Sequence, residues 1–135
     1  KDPQLAQIIV SYVKQHYPKI IMLAPALSEL AKASQAVGLV TALEVFADRT
    51  YEDDGTLTSR SIEGSLITDP SQASDHVKIM IEEKSIISRS GKKLPTAFHS
   101  ICLHSDTPNS VEISSQICIL LHSMELQQQT LPELF

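Results

Sequence analysis

Residues 44–60 read EVFADRTYEDDGTLTSR. The stretch entering it, Val40 to Phe46, is apolar and β-prone. Hydrophobicity then stops abruptly, and Glu44, Asp48, Arg49, Tyr51 and Arg60 crowd one short segment. A buried strand that empties into a charged loop is where α/β proteins place their chemistry. On charge alone, a surface loop tied by Asp48, Arg49 and Arg60 ion pairs reads the same way.

Upstream, Asp2-Pro3 is a helix start, a side-chain cap followed by proline at the first helical position. Leu5, Ile8, Ile9, Tyr12 and Val13 follow at helical spacing and predict the buried face of that helix. Pro18 ends it. Ile20 to Leu23 is a short apolar run, as a buried parallel strand requires. Ala24-Pro25-Ala26 turns the chain. Leu27, Leu30, Ala31, Ser34 and Val37 keep helical spacing until Gly38.

Downstream, Ala47 to Leu66 is a long loop with a tight turn at Asp54-Gly55, and loops of that length are usually functional. Thr68 or Asp69 caps a helix from Pro70, with Ala73, Val77, Met80 and Ile81 on one face. Ile86-Ile87, the Ser90-Gly91 turn and Leu94 predict a small ribbon. His99 to His104 is a strand. Thr107-Pro108 opens the last helix, with Val111, Ile113, Ile117, Leu120, Leu121 and Met124 as its apolar positions. Residues 127–135 lack a period and read as a flexible tail after one domain over residues 1–126.

Alternating helices and strands imply α/β architecture, a parallel sheet with helical crossovers. The C-terminal ends of parallel strands face one rim. That rim would gather Ala24 to Ser28, then Glu44, Asp48 and Arg49, then His104 and Asp106. Glu44 lies in an apolar strand and needs a partner if buried, either an arginine or a substrate. Arg49 suits two-pronged binding of a carboxylate, and Arg60 could do the same or anchor the loop. Tyr51 reads either as a packing residue or as a pocket hydrogen-bonder. His104 and Asp106, two apart, suit a histidine oriented by a carboxylate, or a hydrogen-bonded pair fixing the loop. Two ligands do not make a metal site. His16, His76, His99 and His122 read as surface or core residues without partners.

The bulk properties exclude several classes. The chain has 135 residues and a net charge of −5, which argues against nucleic acid and anionic membrane surfaces. No stretch reaches the roughly 18 apolar residues of a spanning helix. No signal-peptide pattern is present. Cys102 and Cys118 form no framework and read as two buried thiols, consistent with a cytoplasmic protein. No G-x-x-x-x-G-K-[ST] loop is present.

The stretch EVFADR-x-Y-x-x-DG-x-L-x-x-R resembles the signature of the LamB/YcsF family. SICLHSDTP, Ser100 to Pro108, looks like the family's C-[VL]-H-G-D segment, with Ser105 where glycine is usual. SLITDP, Ser65 to Pro70, and Ala24 to Gly38 fit the same pattern. The resemblance covers roughly residues 20–124. It implies the C-terminal half of a distorted (β/α) barrel of the polysaccharide-deacetylase type, since the family's N-terminal motifs are absent. It also implies a 5-oxoprolinase activity, the ATP-dependent hydrolytic opening of 5-oxo-L-proline to L-glutamate with B and C subunits. In that reading His104, Asp106, Asp48 and Glu44 are the catalytic candidates. Arg49, Arg60 and Tyr51 are the substrate-binding candidates, and ATP sits outside this stretch. Alternatives are a metal-dependent carbohydrate or amide deacetylase, and a non-catalytic binding or scaffold component. Half a barrel exposes sheet edges and apolar faces, which implies self-association into a homo-oligomer.

Overall fold

The computed structural model describes residues 2–135. Its elements are α1 (Pro3–His16), β1 (Met22–Pro25), α2 (Glu29–Ala36), β2 (Thr41–Phe46), α3 (Pro70–Glu83), β3 (Ser85–Ile87), β4 (Lys93–Pro95), β5 (Ser100–Cys102), α4 (Ser110–Ser123) and α5 (Leu131–Leu134). β1, β2 and β5 form one sheet in that order, and β3 pairs with β4. β1 and β2 are parallel, with Met22 opposite Thr41 and Pro25 opposite Glu44. His99 N–H reaches Leu43 O at 2.8 Å and Ala47 N–H reaches Cys102 O at 2.9 Å, so β2 and β5 ascend together. The α/β class with parallel strands and helical crossovers therefore holds.

The helix starts follow their caps. Asp2 accepts from the backbone of Gln4 and Leu5, Ser28 from Ala31, and Asp69 from Gln72. Proline occupies the first turn of α1 and α3, where its missing N–H costs nothing. The last helix departs from its expected start. Thr107-Pro108 lies before it, in the turn that leaves β5, and Asn109 caps it from the left-handed region at φ 61°.

The chain divides into two compact units. One runs through Val45 and adds Phe98–Ser100 and Gln129–Phe135; the other comprises Phe46–Ala97 and Ile101–Gln128. In the first, α1 packs on α2. The buried α1 residues are Ala6 and Val10, while Leu5, Ile8, Ile9 and Tyr12 are exposed. This corrects the expected helix face. α2 buries the small residues Ala31 and Ser34, and a small α1 face opposite them allows close approach. His99, expected without a partner, takes a hydrogen bond on Nδ1 from Leu43 N–H at 3.0 Å. The stretch expected as a flexible tail carries α5, with a Thr130–Glu133 capping box, and Phe135 lies against the His99 ring.

In the second unit, Ala47, Ala73, Val77, Ile113 and Ile117 form the core between α3 and α4, flanked by Ile101 and Leu103 of β5 and its exit. Cys118 is exposed on α4, correcting the expectation of two buried thiols. The long loop after β2 is folded back on itself. Arg49 bridges to Leu66 and Tyr51 to Leu57, each antiparallel, and Gly55 at φ 82° makes the tip turn. The loop is thereby a rigid platform at the end of β2.

Candidate functional site

Asp48 lies two residues past the end of β2, and His104 lies two residues past the end of β5. Adjacent parallel strands put such residues side by side, and they meet. His104 Nδ1 is 3.0 Å from both Asp48 carboxylate oxygens, and the His104 backbone N–H donates to Oδ2 at 3.3 Å. A third donor, the Thr107 hydroxyl, completes the set on Oδ2. Asp48 is 0% exposed, and a buried carboxylate is tolerated only with such a set of donors. The His104 ring stacks on Phe46 at 5.6 Å between centroids and 11° between planes. Its side chain keeps 26% of its surface open. With Nδ1 committed as donor to Asp48, Nε2 is the nitrogen left to accept or deliver a proton.

The carboxylate that orients His104 is thus Asp48 and not the neighbouring Asp106. Asp106 points to Arg60, at 3.1 Å, on the exposed rim. That hydrogen bond, with the Arg60 charge, holds the Asp106 carboxyl below the usual carboxylate range. Arg49 is buried. Its Nη2 donates to Thr58 O at 2.7 Å and its Nε to Ser65 O at 3.3 Å, so the guanidinium clamps the two limbs of the loop. Tyr51 is also buried; its hydroxyl oxygen accepts from Phe46 N–H at 2.8 Å. Glu44 is half-buried in β2 and belongs to the first unit. The second unit brings together Asp48, Arg49, Tyr51, Arg60, His104 and Asp106.

Beneath this cluster lies His76 of α3, 6.3 Å from the Tyr51 ring. Burial pushes its imidazole down to about 4. Its Nε2 is buried and has no hydrogen-bond partner among the described residues. Sequence reading misses Phe46 and Thr107 as parts of the site. Phe46 looks like any strand residue, and a threonine before proline looks like a helix start.

A family model described as the LamB/YcsF family matches residues 1–135. The chain belongs to that family. It is 45% identical over 114 residues to the A subunit of 5-oxoprolinase from Coprothermobacter proteolyticus, a match covering 84% of this chain and 44% of the relative. It is 37% identical over 134 residues to the A subunit of 5-oxoprolinase from an Azoarcus species, covering 99% of this chain and 52% of the relative. The crystal structure of a lactam utilization protein from Thermus thermophilus superposes with a TM-score of 0.81 at 26% identity, over 96% of this chain and 51% of that one. The chain therefore spans about half the length of the relatives it matches. In this LamB/YcsF chain both signature blocks carry one half of the buried pair: Asp48 comes from the first and His104 from the second.

Proposed function

We propose that this chain is part of the A subunit of a 5-oxoprolinase, acting in the ATP-dependent hydrolytic opening of 5-oxo-L-proline to L-glutamate together with B and C subunits. The observation that carries the reading is the Asp48–His104 pair, a histidine with one nitrogen fixed and the other partly open at the ends of two adjacent parallel strands. It is supported by relatives named for the A subunit of 5-oxoprolinase and by the lactam utilization protein of like fold. The natural setting for such strand ends is one rim of a distorted (β/α) barrel of the deacetylase type, with this chain as its C-terminal half, in the cytoplasm.

Opening a lactam needs one proton removed and one supplied. Water attacks the ring carbonyl carbon while Nε2 of His104 takes its proton. The C–N bond then breaks, and the departing nitrogen carries the electron pair and receives that proton as the new α-amine. Asp48 stabilises the intervening imidazolium and holds the ring in place. Arg60, exposed on the rim, is the arginine able to exchange Asp106 for the substrate carboxylate; Arg49 is spent on backbone carbonyls. ATP is the co-substrate: its terminal phosphoryl group would pass to the lactam oxygen, activating the carbonyl carbon towards water, and would leave as inorganic phosphate. Among the described residues Gly38, Gly55, Gly64 and Gly91 stand singly in separate turns, which does not fit a glycine-rich phosphate cradle. The roles assigned to the residues of this chain are those of the lactam half of the reaction.

The test is glutamate release from 5-oxoproline by the intact protein with B and C subunits, with and without ATP. ATP-dependent release is expected, reduced in His104→Ala by roughly two orders of magnitude or more. A wild-type rate in that variant would remove His104 from the reaction.

A further inference from the structure

The geometry points to Thr107 as a positioning residue, whose hydroxyl locks the Asp48 carboxylate and through it sets the His104 ring. This rests on the reading of His104 as the proton-transfer residue. Asp48 accepts from three donors, but two of them, Nδ1 and the backbone N–H, belong to His104 itself. The backbone N–H already ties the carboxylate to the main chain, but through one long bond of 3.3 Å about which carboxylate and ring can rock together. The Thr107 hydroxyl adds a second, closer anchor from a different residue and removes that freedom.

Thr107 is itself well anchored. It is 4% exposed. Its carbonyl accepts from Ser110 N–H at 3.1 Å in the first turn of α4. Two residues on, the Asn109 side chain donates to Thr68 O at 3.0 Å, across to the segment that leads into α3. The turn from His104 to Asn109 is therefore held at both ends, and the hydroxyl is presented from a rigid base. The charged groups facing His104 are Asp48 from the β2 exit and Asp106 in its own turn, the latter paired with Arg60.

Two variants separate positioning from packing. Thr107→Val keeps the shape and removes the hydroxyl; Thr107→Ser keeps the hydroxyl and removes the methyl. In the intact protein with its B and C partners, Thr107→Val is expected to lower kcat for lactam opening roughly tenfold or more with KM little changed, and Thr107→Ser to restore most of that loss. Nitrogen-15 NMR of the His104 ring supplies a readout independent of turnover. The wild-type neutral ring should carry its proton on Nδ1. Thr107→Val should weaken that preference and speed Nδ1–H exchange with solvent, roughly tenfold. An impaired Ser variant beside a normal Val variant would overturn the proposal, as would an unchanged His104 spectrum in Thr107→Val. If the ring signature responds to Thr107→Val but the wild-type protein opens no lactam, the lock stands and the lactam reading falls.

Discussion

Asp48 and Asp106 both join the loop after β2 to the turn after β5, one reaching from each side. Asp48 is sealed under the His104 ring with three donors. Asp106 stands in solvent against the Arg60 guanidinium. Water and salt screen the outer pair, so it costs little to open and close. Solvent reaches the inner pair only at the His104 edge, and opening it would strand the Asp48 charge in the protein interior. An aspartate at the same junction therefore serves as a fixed device when buried against His104 and an exchangeable one when exposed against Arg60. On the proposed function, the inner pair would be a proton carrier that stays still and the outer one a substrate grip that lets go.

The contrast can be broken at several depths. Asp48→Asn should lower lactam opening roughly a thousandfold, read as kcat in the ATP-coupled assay. A loss under tenfold would mean that the buried carboxylate does not govern His104. Tyr51→Phe tests the platform below the pair. It leaves Phe46 N–H without its acceptor, and chemical denaturation should show a loss of about 2–3 kcal/mol; an unchanged midpoint would show that the loop does not depend on this bond.

His76 tests burial through pH. Its folded value, about 4, lies below the ordinary 6.5 because burial disfavours the charged ring. As pH falls, the unfolded chain therefore takes up the proton first. The contribution is complete above 6.5 and lost as pH drops towards 4, by about 2 kcal/mol once the partial exposure of the ring is allowed for. Comparing acid unfolding of the wild type with His76→Gln isolates this slope, and parallel curves would refute it. The smallest effect belongs to the rim. Asp106→Asn should shift KM for 5-oxoproline, up or down, by no more than about fivefold, with kcat moving less. A kcat collapse like that of Asp48→Asn would erase the distinction between the two pairs.

The helices and the parallel pairing are legible in the sequence because caps, proline positions and apolar runs are local. Asp2 and Asp69 each act where their sequence position implies. The convergence of Asp48 and His104 on one rim is legible from strand order. Their direct contact is not, since chain proximity favours pairing His104 with Asp106, whereas the register of β2 against β5 selects a carboxylate 56 residues away. The face of α1 misleads because hydrophobic spacing marks large residues, while close packing on α2 selects Ala6 and Val10. Arg49 and Arg60 look alike in sequence; only the fold of the loop assigns one to backbone carbonyls and the other to the rim.

The Thr107–Asp48 bond spans 59 residues, and that separation orders events while the chain is being made. A ribosome releases the β2 loop long before the turn that carries His104 and Thr107. Until those residues emerge, Asp48 has none of its three donors and is held towards water by its own solvation. The loop can close over its carboxylate only when the second signature block arrives, so the site assembles after both blocks are made and not with the first alone.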